Sequence, residues 1–284
     1  MISIQTNVTS LFAEQNLANN TAFESQTIQQ LTSGFRINRS GDDAAGLAVA
    51  NQYRSNINEL QQGVRNANDG TSILQIIDGG LNNISQILDR LKSLATESAT
   101  GTFSGNRTTL DNEFGTLLKE IDRQAANIGL SSVAGVSSQY NAKLNVYIGG
   151  GATAADAQVS VDLSGAGNQV DSTGLGINAQ TITGATPAAA ITNAQAAITA
   201  INTAVSNLGL TQGAVGTGEN LLQYASSLAN SQITNLSSAQ SVIRDADIAS
   251  AAANLTKAQT LQQTSIAALA QANAAPAAVL KLLA

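Results

Sequence analysis

Apolar positions along this chain recur at helical spacing over most of its length and alternate only in the centre. Near the start, Ile4, Val8, Leu11, Ala18 and Ala22 mark one stripe, continued in a shifted register by Ile28, Leu31 and Phe35. The run Arg36-Ile37-Asn38-Arg39-Ser40-Gly41-Asp42-Asp43 then interrupts it with charge and a glycine. From Leu47, the positions Ala50, Ile57, Leu60, Val64, Ala67, Leu74, Ile77, Leu81, Ile84, Leu88, Leu91 and Ala95 keep heptad steps. Arg54, Glu59, Arg65, Asp69, Asp78, Asp89, Arg90, Lys92 and Glu97 fall off that stripe. The spacing predicts a coiled-coil-like helix of about 55 residues, roughly 80 Å long. Asp42 and Asp43 fall at its first turn, where carboxylates suit the helix dipole and the free amides. Gly101 to Gly105 predict a turn, and Leu110, Phe114, Leu117, Ile121, Ala125 and Ile128 a second, antiparallel helix ending near Gly129.

Between Ser131 and Thr186 the period changes to two. Leu144, Val146 and Ile148 alternate with Asn145 and Tyr147, and Val159, Val161 and Leu163 with Ser160 and Asp162. Bounded by Gly149-Gly150-Gly151 and Gly165-Ala166-Gly167, these predict short strands and hairpins. After Pro187 helical spacing resumes with Ile191, Ala194, Ile198, Ile201, Val205 and Leu208. Gly209, Gly213, Gly216 and Gly218 weaken the next stretch, each by about 1 kcal/mol relative to Ala. Leu221, Ala225, Leu228 and Leu236 restore the pattern, and spacing alone fits either one long helix or two. At the far end Ile248, Ala251, Leu255, Ala258, Leu269 and Ala272 form a last stripe. The expected fold is mainly α: a long coiled-coil-like bundle, its N- and C-terminal helices paired, with a small β-hairpin region at its centre.

Charge sharpens the picture at the two ends. Residues 1–35 carry only Glu14 and Glu24, and residues 249–284 only Lys257 and Lys281. Helices so short of charge are built to be buried, against each other or against other copies of the chain. Glu14 and Glu24 against Lys257 and Lys281 are candidates for selecting that pairing. Over the 284 residues charged side chains are 11% and aromatics 3%, so the core depends on Leu, Ile, Val and Ala. That suits slender helix packing. The net charge of −6 and the absence of basic clusters argue against nucleic acid. With no Cys and no His, thiolate and imidazole chemistry and the common zinc sites are excluded. No run of about 18 apolar residues exists, so membrane insertion is not expected, and the first residues lack the pattern of a cleavable secretory signal.

Candidate chemistry is sparse, and no catalytic, cofactor or metal site is expected. Asp42 and Asp43 are explained by a helix start; Asp245 and Asp247 lack the ligand count calcium requires. Gly149-Gly150-Gly151 has no following Lys-Ser or Lys-Thr and no helix start, so it predicts a turn rather than a phosphate loop. Triplets such as Asn106-Arg107-Thr108 are what an Asn- and Thr-rich composition supplies by chance.

Two stretches closely resemble bacterial flagellin. The first is Leu31-Thr32-Ser33-Gly34-Phe35-Arg36-Ile37-Asn38-Arg39-Ser40-Gly41-Asp42-Asp43-Ala44-Ala45-Gly46-Leu47-Ala48. The second is Ile243-Arg244-Asp245-Ala246-Asp247, followed by Leu261-Gln262-Gln263 and Leu269-Ala270-Gln271-Ala272-Asn273-Ala274-Ala275-Pro276. The motifs are long, in the right order and at opposite ends, and only the strand-rich centre lacks a match. The Gly-rich stretch 209–218 departs from the family helix, although the resemblance favours one continuous helix there.

The resemblance implies a subunit of the flagellar filament, used for motility, in a short form without large outer domains. It implies a D0 coiled coil from residues 1–40 and 245–284, a D1 bundle from 41–130 and 188–244, and an outward β-rich segment from 131–187. Self-assembly would use Ile4, Val8, Leu11, Ile28, Leu31, Phe35, Leu255, Leu269, Leu280 and Leu283. Arg36, Asn38, Asp42, Asp43, Arg244, Asp245 and Asp247 resemble the spokes joining D0 to D1. Implied partners are other copies of the chain, an export chaperone over the C-terminal helices, the filament cap and hook-associated proteins. Export through the flagellum's type III apparatus, without a cleaved signal, would place it outside the cell. A Toll-like innate receptor contact would fall at Arg90, Leu94 and Glu113, although Asp89, Lys92 and Ser93 differ from the pattern of strongly recognised flagellins. The competing readings are a hook–filament junction protein and, from another class, a flagellin-like chain with an enzymatic insert. The latter has no His or Cys to build a site with.

Overall fold

The computed structural model describes residues 6–132, 143–151, 153, 155–164 and 168–283, with 275–283 by their backbone alone. The described chain forms α1 (Val8–Ser33), α2 (Ala44–Ser98), α3 (Arg107–Asn127), β1 (Lys143–Tyr147), β2 (Gln158–Asp162), α4 (Pro187–Arg244) and α5 (Ile248–Leu283). It divides into two compact units, residues 1–57 with 234–284 and residues 58–233. No helix among the described residues is long and apolar enough to cross a membrane.

In the first unit α1 packs on α5. Asn7 caps α1 by accepting the Ser10 N–H at 3.2 Å. Gly34 ends that helix in a left-handed conformation (φ 74°), and its N–H donates to the Gln30 carbonyl at 2.9 Å. A side chain there would be strained, which is why the helix stops at a glycine.

In the second unit α2 is the spine, and it buries a broad stripe. Leu60, Ala67, Leu74, Ile77, Leu81, Ile84, Leu88, Leu91 and Leu94 are all covered. Phe114, Leu118, Ile121 and Ala125 of α3 and a regular series from α4, Ala190, Ala194, Ala197, Ile201, Ala204 and Leu208, complete the core. Small residues on α4 let helix axes approach closely. Pro187 occupies its first helical position, where a missing N–H costs nothing, and Thr186 caps it through Oγ1 to the Ala189 N–H at 3.2 Å. The glycine-rich stretch 209–218 does not interrupt α4, which is one continuous helix.

The period-two segment folds as a single antiparallel hairpin, with Leu144 opposite Val161 and Val146 opposite Val159. Val146 and Val161 are buried, while Lys143 and Asp162 pair on the other face at 3.3 Å. The hairpin sits hard against α2: a Cβ on Gly63 would lie 1.7 Å from the Ile148 carbonyl oxygen. Residues 168–186 are turns rather than the further strands expected of the centre. They are tied to α3 by Asp122, which accepts the Ser172 N–H at 2.7 Å, and by Asp111, which accepts the Ile182 N–H at 2.9 Å. The turn expected at Gly165-Ala166-Gly167 lies outside the described residues.

Two substitutions separate a glycine required by packing from one that is merely tolerated. Gly63→Ala drives a methyl into a backbone carbonyl and is expected to cost about 1–3 kcal/mol. Gly213→Ala meets open space and is expected to stabilise α4 by about 1 kcal/mol. Urea unfolding followed by circular dichroism reads both; equal effects of the same sign would contradict this packing.

Candidate assembly surface

The α1–α5 pair has an inner seam and an outer face, and they differ in chemistry. Along α1 the positions withdrawn from solvent are Ser10, Ala13, Leu17, Asn20, Glu24, Thr27 and Leu31, alternating steps of three and four, with Gln29 and Gln30 added near the helix end. Along α5 they are Ala251, Leu255, Ala258, Gln262, Ser265, Leu269 and Ala272, again a heptad seam. Thr27 is 2% exposed and Ala258 0%. Hydrogen bonds cross this seam: Asn7 Nδ2 to the Ala272 carbonyl (2.8 Å), Ser10 Oγ to Asn273 Oδ1 (2.7 Å) and Asn20 Nδ2 to Ser265 Oγ (2.7 Å).

Several large apolar side chains of both helices nevertheless stay exposed. Val8, Leu11, Phe12, Phe23 and Ile28 of α1 and Ile248, Leu261 and Ile266 of α5 are exposed, Phe12 to 67%. The expected self-assembly residues therefore divide. Leu31, Leu255 and Leu269 belong to the seam; Val8, Leu11 and Ile28 stay exposed. Ile4 lies outside the described residues, as do the side chains of Leu280, Leu283 and Lys281. Sequence reasoning missed Phe12 and Phe23 on the outer face, and Ser10, Asn20 and Thr27 in the seam. The signal for the α1 seam was a heptad in which Leu17 and Leu31 alternate with small and polar residues, partly hidden when only large apolar positions are ranked. Among the described residues no ion pair involves Glu14, Glu24 or Lys257.

Phe35, at the end of the first stripe, joins a compact knot instead. It bridges antiparallel to Asp245. The Arg36 N–H donates to the Arg244 carbonyl (2.6 Å) and the Ala246 N–H to the Gly34 carbonyl (2.9 Å). Arg36 Nη2 reaches the Ile243 carbonyl at 2.8 Å, and the Arg244 guanidinium lies 4.1 Å from the centre of the Phe35 ring. Asn38 Nδ2 donates to Ser33 Oγ at 2.8 Å and to the Phe35 carbonyl at 3.2 Å. Asp245 accepts the Ser241 hydroxyl at 2.6 Å.

The carboxylates at this knot hold turns and helix starts. Asp43 Oδ1 accepts the Gly46 N–H at 2.8 Å and caps α2, and Asp247 Oδ1 accepts the Ala249 N–H at 2.9 Å and caps α5. Asp42 departs from its expected place in the first helical turn. It lies in the preceding turn, and Oδ2 accepts the N–H groups of Arg39 and Asn38, both at 3.0 Å. Those two amides hold its carboxyl below the ordinary carboxylate range.

The three residues expected at a receptor surface are not equivalent. Arg90 and Glu113 pair across α2 and α3 at 2.5 Å and are solvent-accessible. Leu94 is 1% exposed within the α2 core and has no surface to present.

A family model for the bacterial flagellin N-terminal helical region matches residues 4–129, and one for the bacterial flagellin C-terminal helical region matches 191–283. A flagellin of Listeria monocytogenes is 34% identical, the match covering 99% of each chain. The flagellar filament 30.7 kDa core protein of Treponema maltophilum is 32% identical, again over 99% of each. A flagellin of Escherichia coli is 36% identical over 64% of this chain but only 32% of its own length.

Because its carboxyl is held ionised in the folded turn, Asp42 contributes stability above the ordinary carboxylate pKa of about 3.9, and loses it as pH falls through its lowered value. Asp42→Asn is therefore expected to be less stable than the parent near pH 7, with the gap closing below about pH 4. Asp43→Ala is expected to cost about 1 kcal/mol from loss of the α2 cap. Urea titrations at several pH values check both; a gap for Asp42→Asn that widens in acid would contradict the assignment.

Proposed function

The chain belongs to the flagellin family and is a structural subunit of the extracellular bacterial flagellar filament, and we propose that its terminal helices complete their burial only against other copies of the chain. The observation that carries this reading is the division of chemistry across the α1–α5 pair. Inside one chain the seam covers mainly small and polar side chains, while Val8, Leu11, Phe12, Phe23 and Ile28 remain exposed. Fully burying a side chain of that size is worth about 1.5–3 kcal/mol, so covering the outer face in a polymer supplies what the seam alone lacks. Most helical stability in proteins comes from packing a face rather than from propensity, so folding of the ends is coupled to joining the filament.

In this reading residues 1–40 and 245–284 form D0, residues 41–130 and 188–244 form D1, and 131–187 face outward. Arg36, Asn38, Asp42, Asp43, Arg244, Asp245 and Asp247 act as the spokes, and their capping and knot contacts are the support for that role. The match to nearly the full length of the Listeria protein, against a third of the Escherichia coli one, fits a short form without large outer domains. Export proceeds through the flagellum's type III apparatus, with a chaperone over the C-terminal helices and the cap and hook-associated proteins as further partners. Of the expected Toll-like receptor contacts Arg90, Leu94 and Glu113, the accessible pair Arg90 and Glu113 would carry the recognition. The matched relatives are flagellins and a filament core protein, which favours the filament over a junction role.

Seeded polymerisation of the purified chain, with and without residues 249–284, tests the mechanism. Electron microscopy is expected to show long filaments from the full chain and none from the truncation. Equal polymerisation by both would sink it.

A further inference from the structure

We propose that the polar contacts crossing the α1–α5 seam, Asn20 with Ser265 foremost, set the register in which the two terminal helices of a subunit pair. The inference rests on the filament reading above and names what selects one pairing among several that fit the same surfaces.

A heptad seam is degenerate by one repeat, and this one is unusually so. On α5 small residues recur every seven positions, Ala251, Ala258, Ser265 and Ala272, so a slipped helix presents nearly the same profile to α1. Nor do Val8, Leu11 and Phe12 discriminate, since they are more than half exposed and lie off the seam heptad of α1. Charge does not do it: Glu14, Glu24 and Lys257 take part in no ion pair among the described residues.

What breaks the degeneracy is polar. As α1 runs from Asn7 through Ser10 to Asn20, its hydrogen-bond partners run back along α5 from residues 272 and 273 to 265. A slip of one heptad moves one helix about 10 Å along the other and breaks all these contacts together. Asn20 would then face Ala258 or Ala272, whose methyl groups offer no acceptor, and Ser10 would face Ile266. A withdrawn amide left without a partner is penalised in every register but one, as a polar residue in a coiled-coil seam does.

The chain contains no cysteine, so an introduced pair reports register alone. Ser10→Cys with Asn273→Cys reports the observed register, and Ser10→Cys with Ile266→Cys reports a slip of one heptad. Oxidation within assembled filaments, read as intrachain cross-linking on gels, is expected to favour the first pair. Introducing Asn20→Leu with Ser265→Leu, which leaves a more apolar seam still able to form helices, should lower cross-linking of the first pair several-fold and raise that of the second. The exchange Asn20→Ser with Ser265→Asn restores a hydrogen bond and should restore the first pattern. An unchanged preference in the leucine variant overturns the inference while leaving the filament reading intact. Should the leucine variant fail to polymerise, the exchange variant decides: filaments cross-linked through the first pair support the proposal, and filaments cross-linked through the second overturn it. Failure of the unaltered chain to polymerise removes the parent reading instead.

Discussion

A helix packed against one partner buries one stripe, and that limit shapes this protein. Among the described residues α1 packs on α5, and each withdraws a narrow heptad seam and leaves much of its surface exposed. α2 contrasts with them: in the second unit it meets α3 at Gly80 and Ile128, the hairpin at Gly63 and Gly70, and α4 at Leu222. Its buried stripe is correspondingly broad. A helix surrounded on three sides is satisfied inside its own chain. A helix pair with large apolar residues turned outward is not, and polymerisation is the outlet that the family provides.

Low charge makes the uncharged polar residues carry tasks that ion pairs perform elsewhere. Asn7, Asn106 and Thr186 cap helices, alongside Asp43 and Asp247. Asn20, Ser10 and Ser265 link the seam, and Asp111 and Asp122 hold the turns of 168–186 on α3. The surface ion pairs, such as Arg90 with Glu113, are exposed and of a kind worth no more than about 1 kcal/mol. Order in this chain therefore depends on satisfied backbone amides and small-residue packing more than on opposed charges.

The heptads of α2 and the alternation at 144–148 and 159–163 were legible because large apolar side chains mark a buried face wherever the partner is wide. Much of the terminal surface was legible for the same reason, with one inversion. Val8, Leu11 and Ile28 are apolar positions on α1 that stay exposed, while the seam combines Leu17 and Leu31 with small and polar residues. On α5 the alanine-rich stripe does coincide with the seam, since Ala258 and Ala251 lie within it. Leu94, expected at a receptor surface from the family resemblance, is buried in the α2 stripe three residues beyond Leu91.

By itself, the sequence determined which segments are helical and that both ends lack the charge of solvated helices. Those properties follow from local period and composition, which are present in the chain before it folds. Tertiary structure alone decided which face of α1 turns inward and that 168–186 is strapped to α3 by carboxylates. Each of these depends on which distant residue arrives as a partner: Ser265 for Asn20, and Ile182 for Asp111. Periodicity can announce that a face exists, but only the partner decides whether it is covered.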